Sequence, residues 1–482
     1  MKFAAKSLVL LVLASAGLVR AQIRNFGHII VIVQENRTPD NLFQGLCVPP
    51  YGSTASCSTT PVGKQYDIQT KNWLDKTSAT GVSQPTTVPL ASKYDLDHAH
   101  HSWVTQCDKD AAGNCKMDGA AKVVCKGIGC PAKASLGYVD NSTGNLNPYL
   151  RLATQYGWAN AMFQTNQGPS FPAHQFLFGG TSAPSLADDH AGTFAAENMG
   201  GKGTGVGCIA TSTRFVQLID AKGAETSANR IFPCFDHNTV ADLLQPRNIT
   251  WRYYAAGASS IWNAPVAIQH LCVASGTACT GADWKANVDL TPAHVLTDIA
   301  SCSLRQVTWV TPTGQNSDHA QTNTGGGPAW VASIVNAIGT SWTASRNKCD
   351  YWGNNSNDAT AILIVWDDWG GWYDHKPPTV LASPEGGYQL GFRVPFIAVS
   401  AYTPVQLVDN TRHDFGSIVR FIEHNFAIPE GSLTFADARA TTDLTAFFNL
   451  TQAPRSYVAV PAALKAAFFI QDKTPPTDPD DD

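Results

Sequence analysis

Three acids in this chain stand where a cation would be wanted. The run His28-Ile29-Ile30-Val31-Ile32-Val33-Gln34 ends in Glu35-Asn36-Arg37, and Ile362-Leu363-Ile364-Val365-Trp366 ends in Asp367-Asp368-Trp369-Gly370-Gly371. Both runs are near-continuously apolar, as strands buried on both faces are. In open α/β sheets, ligands bind beyond the carboxyl ends of such strands, so the two polar clusters can meet in one site. Glu35, Asn36, Asp367 and Asp368 offer hard oxygen donors, suited to a divalent metal ion that polarises a phosphoryl oxygen. Adjacent buried acids do not ionise together cheaply unless a cation compensates them. The bland alternative is that these acids cap the next helix or face water.

Histidines cluster at similar boundaries. The densest segment is Asp95-Leu96-Asp97-His98-Ala99-His100-His101, and others are His319 in Ser317-Asp318-His319 and His375 in Tyr373-Asp374-His375. A phosphate ester needs cationic donors for its oxygens and an acid for the leaving group, and imidazolium serves both. Taken singly, a histidine is more often a surface or hydrogen-bonded residue, and His28, His190, His270, His294 and His424 are read that way. Ser170 lies in Gly168-Pro169-Ser170-Phe171-Pro172, which lacks the second glycine of a lipase nucleophile elbow. There is no phosphate-binding G-x-x-x-x-G-K-[ST] and no H-E-x-x-H. Trp366, Trp369, Trp372 and Tyr373 surround the acid pair, where they would either receive a choline-like cation or simply pack.

These residues need elements to position them. Further apolar runs at Ile249–Ala255, Gln306–Thr311 and Val394–Ser400 read as strands, and Thr239–Leu244, Trp330–Ile338 and Phe415–Asn425 as helices. Strands alternating with helices predict one α/β domain with a mostly parallel sheet, spanning residues 22–473. Stretches 44–90, 105–135 and 183–230 are rich in Gly, Ser, Thr and Cys and read as surface insertions. Residues 1–21 have the charged start, apolar run and small-residue end of a secretory signal, too short to span a membrane. Secreted or periplasmic placement follows. In that setting the twelve cysteines predict disulfides. Cys47 with Cys57, Cys107 with Cys115, Cys125 with Cys130 and Cys272 with Cys279 are near neighbours, while Cys208, Cys234, Cys302 and Cys349 remain for longer loops.

Charged residues make up only 15% of the chain, against about 25% in an ordinary soluble domain. The formal net charge is −5, and four acids fall in the last five residues of a Pro/Asp-rich tail, 474–482, read as disordered. A nearly neutral body argues against nucleic-acid binding and against attachment to anionic lipid by bulk charge.

Glu35-Asn36-Arg37-Thr38-Pro39-Asp40 resembles the opening motif of the bacterial phosphoesterase family, which includes phosphatidylcholine-type phospholipases C and acid phosphatases. The resemblance runs on through Asp95-Leu96-Asp97-His98, Lys116-Met117-Asp118 and Gly168-Pro169-Ser170-Phe171-Pro172. It continues through Ser317-Asp318-His319, Asp367 to His375, Val394-Pro395-Phe396, His413-Asp414-Phe415-Gly416-Ser417 and Ala436-Asp437-Ala438-Arg439, in the family's order over roughly residues 27–450.

That resemblance implies an alkaline-phosphatase-like three-layer α/β/α sandwich. It places Glu35, Asn36, Asp367 and Asp368 on a divalent metal of unspecified identity, and Ser170 as the nucleophile. It puts His98 and His319 at phosphate-contacting or proton-transferring positions and matches His375 to a recurrent motif histidine; His375, His101 and Trp369 are read as substrate contacts. The sequence departs from the family at Thr38-Pro39-Asp40-Asn41, at His174 where an arginine is common, and at Asp368 where a glutamate is frequent. These departures leave the chemistry intact and bear on whether the substrate is a phospholipid or a soluble phosphate ester. A non-catalytic carbohydrate- or lipid-binding protein and a metal-independent serine acyl hydrolase are the alternatives from other classes.

Overall fold

β-Branched and aliphatic residues occupy consecutive positions in the two longest apolar runs, and such runs are stable only where both faces are covered. In the computed structural model, which describes residues 25–354, 358–381 and 389–477, these runs are the central strands of the main sheet. Among the described residues this sheet has eight strands: β1 (His28–Gln34), β2 (Gly157–Ala159), β3 (Trp251–Tyr254), β4 (Val288–Asp289), β5 (Val307–Val310), β6 (Thr360–Trp366), β7 (Phe396–Val399) and β8 (Leu407–Asp409). Their order is β4-β3-β5-β1-β6-β7-β2-β8. All run parallel except β7, which is antiparallel to both β6 and β2.

Each strand predicted from the sequence forms: His28–Gln34 with the same bounds, the Trp366 strand from Thr360, and the other three shortened at their ends. The antiparallel direction of β7 was not legible, because a buried strand has the same composition in either direction. The edge strands β4 and β8, and β2 beside β8, were also missed, being too short to carry a period.

Five helices matter for the site: α1 (His100–Cys107), α2 (Asn147–Gln155), α3 (Ser170–Gly179), α4 (Gly327–Gly339) and α5 (Phe415–Asn425). On one face of the sheet α2 packs beside α4, and Tyr149 of α2 meets Trp366 edge-on at 5.0 Å. On the other face α3 packs beside α5, and Phe178 of α3 meets Trp309 at 5.2 Å. Trp309 donates its indole N–H to the Leu177 carbonyl, so even this wide apolar contact satisfies its one polar atom. Helices on both faces of a mostly parallel sheet make the three-layer α/β/α arrangement the sequence pattern predicts.

All twelve cysteines are paired. The four near-neighbour pairs form, and the remaining cysteines join as Cys208–Cys234 and Cys302–Cys349. Each of the three long insertions carries at least one of these bridges. No helix among the described residues is long and apolar enough to cross a membrane. The signal segment 1–21 and the tail beyond residue 477 lie outside the described residues. Ahead of that point, Gln315 donates to the Pro475 carbonyl.

Ile364, at the middle of β6, is fully buried. Ile364→Ala is expected to cost about 2–5 kcal/mol in urea unfolding, the range for deleting a close-packed aliphatic side chain. Val62→Ala, at a residue 73% exposed, should change stability by less than about 0.5 kcal/mol.

Candidate functional site

β1 and β6 run in register from His28 beside Thr360 to Gln34 beside Trp366. Parallel register therefore sets Glu35 next to Asp367, and the Asp367 N–H continues the ladder to the Gln34 carbonyl at 2.9 Å. β5 flanks β1 on its other side and leads on to Asp318 and His319. Three polar strand ends thus open onto one space.

The chain must turn sharply there. Asn36 has φ +62°, a left-handed conformation that asparagine tolerates better than most residues. Its N–H donates to Asp367 Oδ1 at 3.1 Å. Gly370 faces it, also left-handed, and a Cβ there would come within 2.4 Å of the Asn36 carbonyl oxygen. The Gly370 N–H donates to Asp368 Oδ1 at 2.7 Å. The two turns lock each other and aim the acids inward.

Ser170 is the first residue of α3, after Pro169 in extended conformation. Its hydroxyl is 3.2 Å from Asp368 Oδ2, 3.5 Å from Glu35 Oε2 and 3.5 Å from Asn36 Oδ1. The next N–H, of Phe171, donates to Asn198 Oδ1. His98 donates from Nδ1 to the Leu96 carbonyl at 2.7 Å and accepts from Asn36 Nδ2 on Nε2 at 2.9 Å. The His319 ring lies 5.6 Å from that of His98, and its Nδ1 donates to the Ala320 carbonyl. The structure thus brings together seven residues expected at the site: Glu35, Asn36, Asp367, Asp368, Ser170, His98 and His319.

Electrostatically the cluster is one-sided. Ser170, Glu35, Asn36, His98, His319, Asp367 and Asp368 are all at most 1% exposed. Burial, reinforced by Asp367 and Asp368, pushes the Glu35 carboxyl well above the usual range, and burial with Asp367 does the same to Asp368. Asp367 Oδ2 has no hydrogen-bond partner among the described residues. No lysine or arginine among them pairs with these three acids. Arg37, the closest in sequence, donates instead to the Asp318 and Leu90 carbonyls and lies over Trp372. Three buried carboxylates, one with an orphaned oxygen, plus an amide oxygen are a donor set that fits a divalent cation.

Other expected contacts sit elsewhere. His375 bonds Asp40 Oδ2 through Nδ1 at 2.7 Å and Asp67 Oδ1 through Nε2 at 2.9 Å. Arg393 and Lys376 join the same acids and Asp374, so three cations balance three carboxylates. Both ring nitrogens of His375 are used in holding the loop after Asp368 to the chain after Glu35, and neither is directed to a substrate. Trp369 is fully buried with Trp103, Cys107, Cys115, Met117 and Phe392, its indole bonded to Gln106 Oε1 at 3.1 Å. It backs the His98 ring at 6.3 Å. His101 is 65% exposed, pairs with Asp97 at 3.2 Å and lines a cleft of about 320 Å³ with Glu197 and Asn198. Trp366, Trp372 and Tyr373 are buried too, so of the two readings left open for these aromatics, packing is the one the burial supports.

The sequence reading missed His174, whose Nε2 lies 3.1 Å from Glu35 Oε1 and 3.7 Å from Asp367 Oδ2. Its signal was available: four residues after Ser170 on a helix, it shares that residue's face. Gln164 was also missed. Its amide binds the Asn166 and Gly168 carbonyls while its oxygen accepts the Trp369 N–H, tying the serine loop to the acid loop.

A parallel-sheet hydrolase-type scaffold with a buried serine facing carboxylates is the class that fold and site define. The profile of the Phosphoesterase family matches residues 26–429, and the chain belongs to that family. Similar proteins include the non-hemolytic phospholipase C of Pseudomonas aeruginosa, 23% identical over 89% of this chain and 58% of that protein. The hemolytic phospholipase C of the same organism is 23% identical over 91% and 58%. Phospholipase C A of Mycobacterium tuberculosis is 23% identical over 46% and 45%. This chain therefore spans less than two thirds of the length of these relatives. A solved alkaline phosphatase superfamily protein from Vibrio parahaemolyticus is similar with 12% identity and a TM-score of 0.29, over 59% of this chain and 63% of that one.

The His375 cluster makes a pH prediction. Burial alone would lower this imidazole's pKa, but Asp40 and Asp67 outweigh it and raise it to about 9. A raised folded pKa gives stability that is full below the unfolded value near 6.5 and lost as pH rises through about 9. Thermal unfolding should show a loss of roughly 3 kcal/mol across that window. His375→Gln should remove the slope; an unchanged slope in the variant would count against this source.

Proposed function

We propose that this protein is an exported hydrolase of phosphoric esters in which Ser170 attacks phosphorus. One observation carries the reading: Ser170 Oγ stands at a helix N-terminus, within 3.5 Å of the oxygens of Glu35, Asn36 and Asp368. A lipase-like acyl site would present the serine to a histidine and leave these acids without a use.

Glu35, Asn36, Asp367 and Asp368 would hold the divalent cation. When bound, it supplies Lewis-acid stabilisation of the phosphoryl oxygens and a lowered serine pKa. The protein's own groups do the rest. Asp368 Oδ2, the nearest acceptor, takes the hydroxyl proton of Ser170 as Oγ approaches phosphorus. The positive end of α3, at Ser170, favours an anion there. His98 accepts from Asn36 Nδ2 on Nε2, which turns the Asn36 amide oxygen toward Ser170 and makes His98 a positioning residue. His319, whose Nδ1–H is held by the Ala320 carbonyl, protonates the departing alcohol from Nε2 when it is in the imidazolium form, and is left neutral. The phosphoseryl ester left behind is then hydrolysed, which divides one hard displacement into two easier ones.

The relatives' names are those of phospholipases C, so phospholipid diesters head the substrate classes, with soluble phosphate esters beside them. The aromatic shell contributes packing only, so it supplies no argument for a choline headgroup. Six disulfides support an oxidising, extracellular or periplasmic setting, in keeping with the leader-like residues 1–21.

Purified protein should hydrolyse p-nitrophenyl phosphate, p-nitrophenylphosphorylcholine or phosphatidylcholine, and the three substrates separate monoesterase from diesterase. Ser170→Ala should lower kcat by roughly three orders of magnitude or more. EDTA should abolish turnover of the wild type, and added divalent cation should restore it. Full activity in Ser170→Ala would remove the nucleophile assignment. Ester hydrolysis that survives chelation would favour the metal-independent acyl hydrolase.

A further inference from the structure

His174 has no role in the steps above, yet its ring reaches the middle of the acid cluster. It is fully buried and lies one turn after Ser170 on α3. Ligand atoms of Glu35, His174 and Asp367 all fall within 4.8 Å of one another. Which nitrogen carries the imidazole proton decides what the ring can do.

Tyr253 settles that question through its own hydrogen bonds. Its hydroxyl has one proton, which it donates to the Trp262 carbonyl at 2.7 Å. Toward His174 Nδ1, 3.4 Å away, the Tyr253 oxygen is therefore an acceptor. The proton of a neutral imidazole then belongs on Nδ1, and Nε2 keeps its lone pair. Trp262 lies nearly parallel to the ring, with centroids 6.4 Å apart and planes at 24°, which fixes its direction. The Nε2 lone pair thus faces Glu35 Oε1 at 3.1 Å and the unpartnered Asp367 Oδ2 at 3.7 Å. A cation lying among that lone pair and the two carboxylate oxygens would relieve their mutual repulsion in a dry interior.

We propose that His174 is a nitrogen ligand of the site's metal together with Glu35 and Asp367, and that it selects a zinc-class transition ion over Ca²⁺ and Mg²⁺. This rests on the metal-assisted reading above and adds one donor and a choice of metal to it. Calcium and magnesium take oxygen ligands, whereas imidazole suits zinc and its first-row neighbours. The sequence already marks the position, since relatives of this motif commonly carry an arginine there, and an arginine has no lone pair to donate.

The test uses the full chain, stripped of metal and titrated with Zn²⁺ alone and Mg²⁺ alone in an isothermal titration calorimeter. His174→Ala and His174→Asn are compared with the wild type, with circular dichroism confirming that the apo forms are folded. The expected result is a Zn²⁺ Kd raised roughly tenfold or more in both variants, with Mg²⁺ binding changed less than about twofold. X-ray absorption of the zinc-loaded wild type should show nitrogen scattering from one imidazole, a readout that needs no variant to fold. Unchanged Zn²⁺ affinity in the variants, or an oxygen-only shell, overturns this inference and leaves the wider metal reading standing. A wild type that binds no divalent ion overturns both.

Discussion

The site is arranged around an electrostatic imbalance, in which three carboxylates are buried together and no lysine or arginine among the described residues pairs with them. Desolvating even one carboxylate costs several kcal/mol, and each neighbour adds repulsion. Such a cluster needs rigid elements to hold it, and protonation or a cation would relieve it. The sheet supplies the rigidity. β1 and β6 lie in strict parallel register, so Glu35 and Asp367 cannot separate without breaking the ladder beneath them. The paired left-handed turns at Asn36 and Gly370 then supply N–H donors to Asp367 and Asp368.

A second acid cluster a few residues away shows the contrast. Asp40, Asp67 and Asp374 are as deeply buried as the site acids, but Arg393, Lys376 and His375 neutralise them. The balanced cluster is scaffold: it ties the chain after β1 to the loop after β6, the same two segments that carry the reactive acids. The unbalanced cluster is the site. Burial and residue type are the same in both, and the presence of fixed cations is what separates a structural network from one that needs a ligand.

The low charge of the chain fits this division. Large side chains fill the layers on both sides of the sheet, with Trp309 and Phe178 on the α3 face and Trp366 and Tyr149 on the α2 face. Disulfides hold the long insertions, which have little core of their own. The rigid body that results can keep Ser170, His98 and His319 fixed around the acids without help from flexible loops, which is what positioning a phosphoryl group asks of a protein.

By itself the sequence determined the central strands, the main helices, the acids and amide at two strand ends, the serine and the two histidines that face them. Each was legible because its signal is local: an apolar run, a cluster at the end of that run, or a motif read in order. The near-neighbour disulfides were legible for the same reason. Only the tertiary structure decided which groups His375, Trp369 and His174 meet. An Asp-His motif looks alike whether the histidine meets substrate or is clamped between Asp40 and Asp67. A tryptophan beside an acid pair looks alike exposed or packed. His174 reads as an ordinary helix residue until the fold sets it against Glu35, Asp367 and Tyr253. Those differences depend on which charges and lone pairs arrive from distant segments, and only the folded chain brings them within range of one another.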